Sequence, residues 1–185
     1  MTKTQQLLSV FANTVRVGGG IHTTAELAFM MGEPNTPAFT KFLTDCVRKG
    51  VVRRVVKGVF ESVLTPPEAS TAIYQIIKKL RGAALTYISL ESQLSFTGDI
   101  SQLVMDRVTV ITKGRCGIFT TPYGVIEFTH TKKPVGAIAP NVYLDTDIGM
   151  YRAMPHQAIA DLKNCRRNIH MLESNSADKA NTTDR

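Results

Sequence analysis

The residues best suited to chemistry are two carboxylates one residue apart, Asp145 and Asp147. This spacing is typical of the acidic pair with which nucleotidyltransferases hold catalytic metal ions. However, no Gly-Ser turn that could hold a phosphate precedes the pair, and no clear third acid accompanies it. The other candidate metal ligands are scattered and include no Cys-x-x-Cys pair: His22, His130, His156, His170, Cys46, Cys116 and Cys165. We therefore interpret the acidic pair as a solvated loop or helix cap, and we predict no metal or cofactor.

The signature loops of nucleophilic and nucleotide-dependent enzymes are also missing from the sequence. There is no G-x-S-x-G, no Walker loop and no G-x-G-x-x-G, and the glycines at 18–20 lack the following Lys-Ser/Thr of a phosphate loop. Ser89 opens a predicted helix, so a cap is a better interpretation than a nucleophile. We predict that the protein is not an enzyme.

Phosphate binding is indicated instead by a basic run between Asp45 and Glu61. It places five positive charges within ten residues, with no acid among them: Arg48, Lys49, Arg53, Arg54 and Lys57. Contacts from lysine and arginine to phosphates supply much of the affinity of proteins for DNA. A basic run alone is more often a solvated face, so the elements that carry it decide between the two interpretations.

Those elements have the order of a winged helix-turn-helix in residues 1–64. Apolar periodicity predicts a helix over 3–16, and a capping box at 23–26 begins a second helix that ends at Gly32. A third helix has Thr36 as N-cap and Pro37 at its first position, and it ends at Gly50. A β-branched strand over 51–56, a Lys-Gly turn and a return strand from Val59 complete the pattern.

The third helix of such a unit enters the major groove and reads base edges. Its predicted buried stripe is Phe39, Phe42, Leu43, Cys46 and Val47, and short polar side chains with two cations occupy the opposite face. Free N–H groups at the helix start could hold a phosphate. The predicted DNA-binding residues are Thr36, Thr40, Lys41, Thr44, Arg48, Lys49, Arg53, Arg54 and Lys57.

Residues 65–172 are predicted to form a second domain of mixed helices and antiparallel sheet, so the fold class is α+β. A capping box at 65–68 begins its first helix, and a short helix runs from Ser89 to Gly98. Period-two segments over 107–112, 117–121 and 124–130 predict an antiparallel meander, residues 134–144 are a further strand candidate, and a helix over 155–165 ends the fold. Residues 173–185 are polar and are expected to be a flexible tail.

Composition agrees with a globular protein that meets a polyanion. The chain has 185 residues, 43% of them hydrophobic, which is enough for a core. It carries a net charge of +7 and therefore permits a nucleic-acid partner. No apolar run reaches the length of a membrane span, and no signal peptide is evident, so we expect a cytoplasmic protein with no membrane partner.

Three stretches resemble the AbiEi-type antitoxins of bacterial abortive-infection systems. The first is Tyr-Ile-Ser-Leu-Glu-Ser-Gln-Leu at 87–94, and the second spans 110–130 with the Thr-Pro-Tyr-Gly at 121–124. The third is the wing at 50–60, a less specific match because many regulators have such wings. The resemblance covers roughly residues 5–165.

The resemblance implies a two-part antitoxin. Its winged helix would repress the operon of the antitoxin and its toxin by binding double-stranded DNA at its own promoter, at inverted repeats. Its second domain would counter a nucleotidyltransferase-like toxin, with direct contact left open. The polar motif residues that it implies are Ser89, Glu91, Arg115 and Glu127. Each also has a structural interpretation: a cap, a helix-dipole partner, a turn charge and the exposed side of a strand.

Two alternatives belong to other functional classes. In the first, the winged helix is a protein-docking adaptor that binds the toxin directly. In the second, the protein is a metal-dependent nucleic-acid enzyme that uses Asp145, Asp147, Asp161, His130 and Glu127. Divalent-metal dependence would distinguish the enzyme, and co-purification with a neighbouring gene product would distinguish the adaptor.

Overall fold

The computed structural model describes residues 1–100 and 106–167. The predicted tail at 173–185 lies outside the described residues. Contacts divide the chain into two compact units. The first comprises Met1–Leu80 and Thr120–Tyr123, and the second comprises the described part of Arg81–Phe119 and Gly124–Arg185. Helices and strands occur in both units, so the protein is of the α+β class.

The first unit combines four helices with a small antiparallel sheet. The sheet has the strand order β1-β3-β2, and β2 and β3 form the hairpin predicted from the sequence. The elements are α1 Lys3–Val15, β1 His22–Thr23, α2 Thr24–Met30, α3 Pro37–Arg48, β2 Val52–Val56, β3 Val59–Ser62 and α4 Ala69–Arg81.

Local capping begins α2 and α3 where the sequence predicts. The Thr23 hydroxyl accepts from the Glu26 backbone N–H at 3.2 Å, and the Glu26 carboxylate accepts from the Thr23 N–H at 2.8 Å. The Thr36 hydroxyl accepts from the Phe39 N–H at 3.3 Å. The three helices then bury one apolar cluster that includes Leu7, Phe11, Leu27, Phe39, Leu43, Cys46 and Phe60.

Helix α4 belongs by its contacts to the first unit. Gln75 Nε2 donates to the backbone oxygen of Gly18 at 3.0 Å, and Lys79 Nζ lies 2.5 Å from Glu26 Oε1. The sequence places a domain boundary after Leu64, whereas the division of contacts falls after Leu80.

The capping box predicted at 65–68 is wrong. The Thr65 hydroxyl is buried and has no hydrogen-bond partner among the described residues, and the helix begins only at Ala69. Because a proline disfavours the helical conformation of the residue before it, Pro66 and Pro67 keep Thr65 and Pro66 out of the helix. Pro67 is buried against Gly20, where an added Cβ would lie 3.1 Å from the Pro67 Cβ.

The second unit is a six-stranded sheet with helices α5 and α7 packed against each other. Its core includes Tyr87, Leu90, Leu94, Ile111 and Leu162. The elements are β4 Thr86–Ile88, α5 Leu90–Phe96, β5 Arg107–Thr112, β6 Gly117–Thr121, β7 Gly124–His130, α6 Val135–Ile138, a 3₁₀ turn Ala139–Asn141, β8 Val142–Asp145, β9 Met150–Ala153 and α7 Pro155–Asn164.

The predicted antiparallel meander is wrong, because the sheet is mixed. Its order is β6-β7-β5-β4-β9-β8, with β5 parallel to β7 and β4 parallel to β9. The four residues of β5 from Thr109 to Thr112 are all buried, so both faces of the sheet are covered at this strand. Strand β6 has an alternating exposed pattern with Ile118 64% exposed, as suits the edge of the sheet.

Residues 134–144 also differ from the predicted strand. They form α6 and the 3₁₀ turn before β8 begins at Val142. Pro134 occupies the N-cap of α6, and Pro140 lies within the turn. Prolines lack the N–H that a strand ladder needs, which restricts the strand to the residues after them.

Candidate nucleic-acid interface

Helix α3 is amphipathic as predicted. Phe39, Leu43 and Cys46 are buried, and Phe42 and Val47 pack against the same cluster. The opposite face and the helix end expose Thr40, Lys41, Thr44, Arg48 and Lys49. The structure therefore brings the five α3 candidates to one solvent-facing side.

The two threonine hydroxyls on this face donate back along the helix. Thr40 Oγ1 donates to the Thr36 oxygen at 3.3 Å, and Thr44 Oγ1 donates to the Thr40 oxygen at 3.0 Å. Each hydroxyl therefore keeps its lone pairs for a donor on a ligand. Lys41 between them is exposed and has no ion pair among residues 1–100 and 106–167.

The hairpin adds further positive charge. Arg54 and Lys57 are exposed, and the Arg54 guanidinium lies 5.8 Å from the centre of the Phe60 ring. Lys49 and Lys57 have no ionic partner within the described ranges. Arg48, in contrast, pairs with Asp45 at 2.7 Å on the surface of α3. Of the basic residues on α3 and the hairpin, Lys41, Lys49, Lys57 and Arg54 therefore combine an exposed side chain with no ion pair in the described residues.

Arg53 differs from the other basic residues because its partner is buried. It lies directly opposite Glu61 in the β2–β3 ladder, and its Nε donates to Glu61 Oε1 at 2.5 Å. The Glu61 side chain is only 1% exposed, whereas that of Arg53 is 49% exposed. Burial disfavours the charged guanidinium, but the Glu61 carboxylate outweighs it and raises the pKa of Arg53.

Tyr123 completes this cluster. Its hydroxyl donates to Glu61 Oε2 at 2.7 Å, and the Arg53 guanidinium lies 5.9 Å from its ring centre. Burial and the adjacent carboxylate raise the pKa of Tyr123 to about 12. Sequence reasoning missed both Glu61 and Tyr123. The sequence signal for this cluster was a single acidic residue, Glu61, opposite Arg53 in the predicted hairpin.

In the second unit, Ser89 does not act as the predicted cap. It stands at the N-cap of α5, but its side chain makes no capping bond and donates to Asp161 Oδ2 at 2.8 Å. The buried Asp161 also accepts from the Tyr87 hydroxyl at 2.9 Å and from Gln157 Nε2 at 2.7 Å. Lys133 Nζ lies 3.5 Å away. Burial, with the Asp161 charge, raises the pKa of Tyr87.

Glu91 and Glu127 meet at a second polar cluster around Arg167. Arg167 Nη1 lies 3.0 Å from Glu91 Oε2, and its Nη2 pairs with Glu127. Glu127 also pairs with Arg107 across 2.6 Å. The remaining motif residue, Arg115, is exposed, and its backbone oxygen accepts from Arg81 Nε at 2.9 Å. Three of the four motif residues thus bind charged side chains.

The Asp145–Asp147 pair does not form a carboxylate cluster. Asp145 Oδ2 accepts from Arg152 Nε at 2.6 Å, and this hydrogen bond lowers the pKa of Asp145. Asp147 is exposed, and its backbone N–H donates to Asp145 Oδ1 at 3.1 Å. Within the described chain, no group of three or more His, Cys, Asp or Glu side chains could hold a metal ion.

No protein-family model and no curated protein matches the chain. Among solved structures, the fold is similar to the crystal structure of the RV2827C protein from Mycobacterium tuberculosis. The two share 11% sequence identity with a TM-score of 0.55. The similarity covers 85% of this chain and 60% of the other, so it shows a shared fold for part of that protein.

In the described residues, no helix is long and apolar enough to cross a membrane. The nine predicted DNA-binding residues all lie on α3, at its ends or on the β2–β3 hairpin. Eight of them are exposed, and Thr36 is half-buried.

Proposed function

We propose that this protein binds double-stranded DNA through α3 and the β2–β3 hairpin, and that it is the autorepressor and antitoxin of its own operon. The proposal is supported by the order α1, β1, α2, α3, β2, β3, which is the order expected of a winged helix-turn-helix. The observation that carries the DNA-binding proposal is the exposed basic surface on α3 and the wing, with Lys41, Lys49 and Lys57 uncompensated among the described residues.

The contacts divide by chemistry. In this proposal Thr40, Lys41 and Thr44 face base edges, because they lie on the exposed side of the helix that enters the groove. Lys49, Arg53, Arg54 and Lys57 contact phosphates, which fix the position of the protein but carry no sequence information. Thr36 and Arg48 add contacts at the two ends of α3.

The antitoxin role rests on the sequence resemblance in the second unit. It assigns a nucleotidyltransferase-like toxin as the target and a cytoplasmic setting, with direct contact left open. Ser89, Glu91 and Glu127 are held by Asp161 and Arg167, which suits residues that shape this unit. Arg115, whose exposed side chain has no ion pair in the described chain, is the motif residue best placed to meet a partner.

A mobility-shift titration tests the DNA-binding proposal. The purified protein is titrated against its own upstream DNA at two salt concentrations, with an unrelated DNA as competitor. We expect a shift that resists the competitor and weakens with salt. A shift that the competitor abolishes, or no shift, contradicts the repressor role.

A second candidate function is that of a docking adaptor, and one observation favours it. Phe29 on α2 is 86% exposed and borders a cavity of about 500 Å³ together with Ala25 and Met30. Exposed apolar patches of this kind commonly mark protein-binding sites. Co-purification of the co-expressed neighbouring toxin with the wild type, but not with a Phe29→Ser variant, would support the adaptor.

A further inference from the structure

We infer that Glu61 is a positioning residue for DNA binding: its buried carboxylate holds the Arg53 guanidinium in the orientation that meets a phosphate, and Tyr123 fixes the carboxylate. This inference rests on the proposed function and names residues that neither the basic run nor the helix pattern indicates. Arg53 remains the contact residue, and Glu61 acts through it.

The geometry restricts Arg53 to one orientation. The Nε and Nη2 atoms of its guanidinium both pair with Glu61 Oε1, while Glu61 Oε2 accepts from Tyr123. The ring of Tyr123 lies beside the guanidinium at 5.9 Å. Because Glu61 is buried, its carboxylate cannot move to follow a mobile arginine. The Glu61 carboxylate and the Tyr123 ring thereby restrict the orientation of the guanidinium.

The fixed guanidinium still has donors for a ligand. An arginine has five N–H groups in a planar fork, and the Arg53 side chain is half-exposed. An unrestrained arginine loses more side-chain entropy when it is ordered than most residue types do. Arg53 has already lost much of that freedom before DNA arrives, so less is lost on contact.

The Asp45–Arg48 pair provides a matched contrast on the same surface. It also joins an arginine to a carboxylate, but the Arg48 side chain is 78% exposed and that of Asp45 is 37% exposed. Such a pair is weak and competes with phosphate for the arginine. Asp45 should therefore oppose DNA binding, whereas Glu61 should support it.

The two carboxylates give opposite predictions for the same type of substitution. Glu61→Gln and Asp45→Asn each remove one negative charge near the basic surface. From net charge alone, both variants should bind DNA more tightly. If Glu61 positions Arg53, Glu61→Gln binds the upstream DNA about tenfold more weakly, in proportion to the side-chain entropy that is restored. Asp45→Asn should bind as tightly as the wild type or more tightly.

The experiment is a salt titration by fluorescence anisotropy on the protein's own upstream DNA and on unrelated DNA. Wild type, Glu61→Gln, Asp45→Asn and Tyr123→Phe are compared after thermal melting has shown that each is folded at the assay temperature. Positioning predicts that Glu61→Gln loses affinity for the upstream DNA at every salt concentration while the salt slope is unchanged. A merely structural loss would lower the melting temperature and leave the affinity of the folded protein intact.

If Glu61→Gln does not fold, Tyr123→Phe tests the inference in its place. It removes only the hydroxyl that fixes Glu61, and we expect a loss of about threefold with the same slope. Equal or tighter binding by Glu61→Gln, or by Tyr123→Phe where the first variant is unfolded, overturns the inference. If the wild type itself shows no specific binding, the proposed function fails first, and that result is distinguishable from failure of the variants alone.

Discussion

The Ser89 hydroxyl donates to the Asp161 carboxylate at 2.8 Å across 72 residues of sequence. This bond joins the residue before α5 to the middle of α7. Both side chains are buried, so the pair belongs to the interior of the second unit. A serine that the sequence suggests as a helix cap instead donates to a buried acid, and Asp161 also accepts from Tyr87 and Gln157.

Asp161→Ala should destabilise the second unit by about 3–5 kcal/mol. The substitution leaves the Tyr87 hydroxyl, the Ser89 hydroxyl and the Gln157 amide without their acceptor. Urea denaturation gives the free energy of unfolding. Asp147→Ala is the control, since its exposed side chain should change stability by less than about 0.5 kcal/mol. Similar stabilities for both variants would contradict the role of Asp161.

Arg167→Gln should lower the free energy of unfolding by about 1–3 kcal/mol. It separates Glu91 and Glu127 from the cation that joins them, and both carboxylates are less than one-fifth exposed. Chemical denaturation measures the change. The neighbouring Arg166→Gln is a matched control, because Arg166 is exposed. Equal losses in the two variants would show that general charge, not the ion pairs, is responsible.

Removing Arg54 and Lys57 together should weaken binding to all DNA sequences alike. Both cations are exposed on the hairpin, where we place phosphate contacts. Each lost contact should reduce the magnitude of the slope of log affinity against log salt by about 0.9. The slope of the double alanine variant should therefore be smaller than that of the wild type by about 1.8. Anisotropy at four salt concentrations measures this slope. An unchanged slope would remove the hairpin from the interface.

Lys41→Ala should change which DNA sequence is preferred. Lys41 lies on the exposed face of α3 between two threonines whose lone pairs are free for donors. Loss of a base contact costs about 1–3 kcal/mol at one base pair and relaxes specificity there. Competition between the upstream DNA and its single-base variants reveals the position. Lys49→Ala serves as the control and should weaken binding to all DNA sequences equally.

His22 should make stability depend on pH between about 6.5 and 4. Burial, with repulsion from Lys79, lowers the pKa of His22 to about 4 in the folded protein. The unfolded chain therefore binds more protons in this range, and stability falls as pH falls from the unfolded value of 6.5 through about 4. The full loss is roughly 3 kcal/mol.

The His22→Gln variant isolates this contribution. Glutamine can keep a hydrogen bond to the Thr14 hydroxyl, which lies 2.8 Å from His22 Nε2, but it does not titrate. As pH falls from 7 to 4, we expect the unfolding free energy of the wild type to decrease relative to that of the variant. A difference that stays constant over that range would mean that His22 is not buried as a neutral ring.

Local signals determined much of the first unit. The capping box of α2, with the N-cap and apolar stripe of α3, predicts these helices because such patterns depend on residues three or four positions apart, which a short sequence window contains. The exposed basic face follows from the same periodicity. Thr65 shows the limit of this reasoning, because its capping pattern is present but two prolines prevent the helix from starting there.

Only the tertiary structure decided which distant residues meet. Strand order is one example, since period-two patterns predict strands but not whether β5 pairs with β6 or with β7. The Ser89–Asp161 and Glu61–Tyr123 contacts are others, because they join residues that are 72 and 62 positions apart in the sequence. Sequence spacing determines the residues that share one face of a helix or strand. Which faces pack against each other depends on how the whole chain buries its apolar residues. The alternative pairings compete over the whole chain, so a short sequence window does not show which one forms.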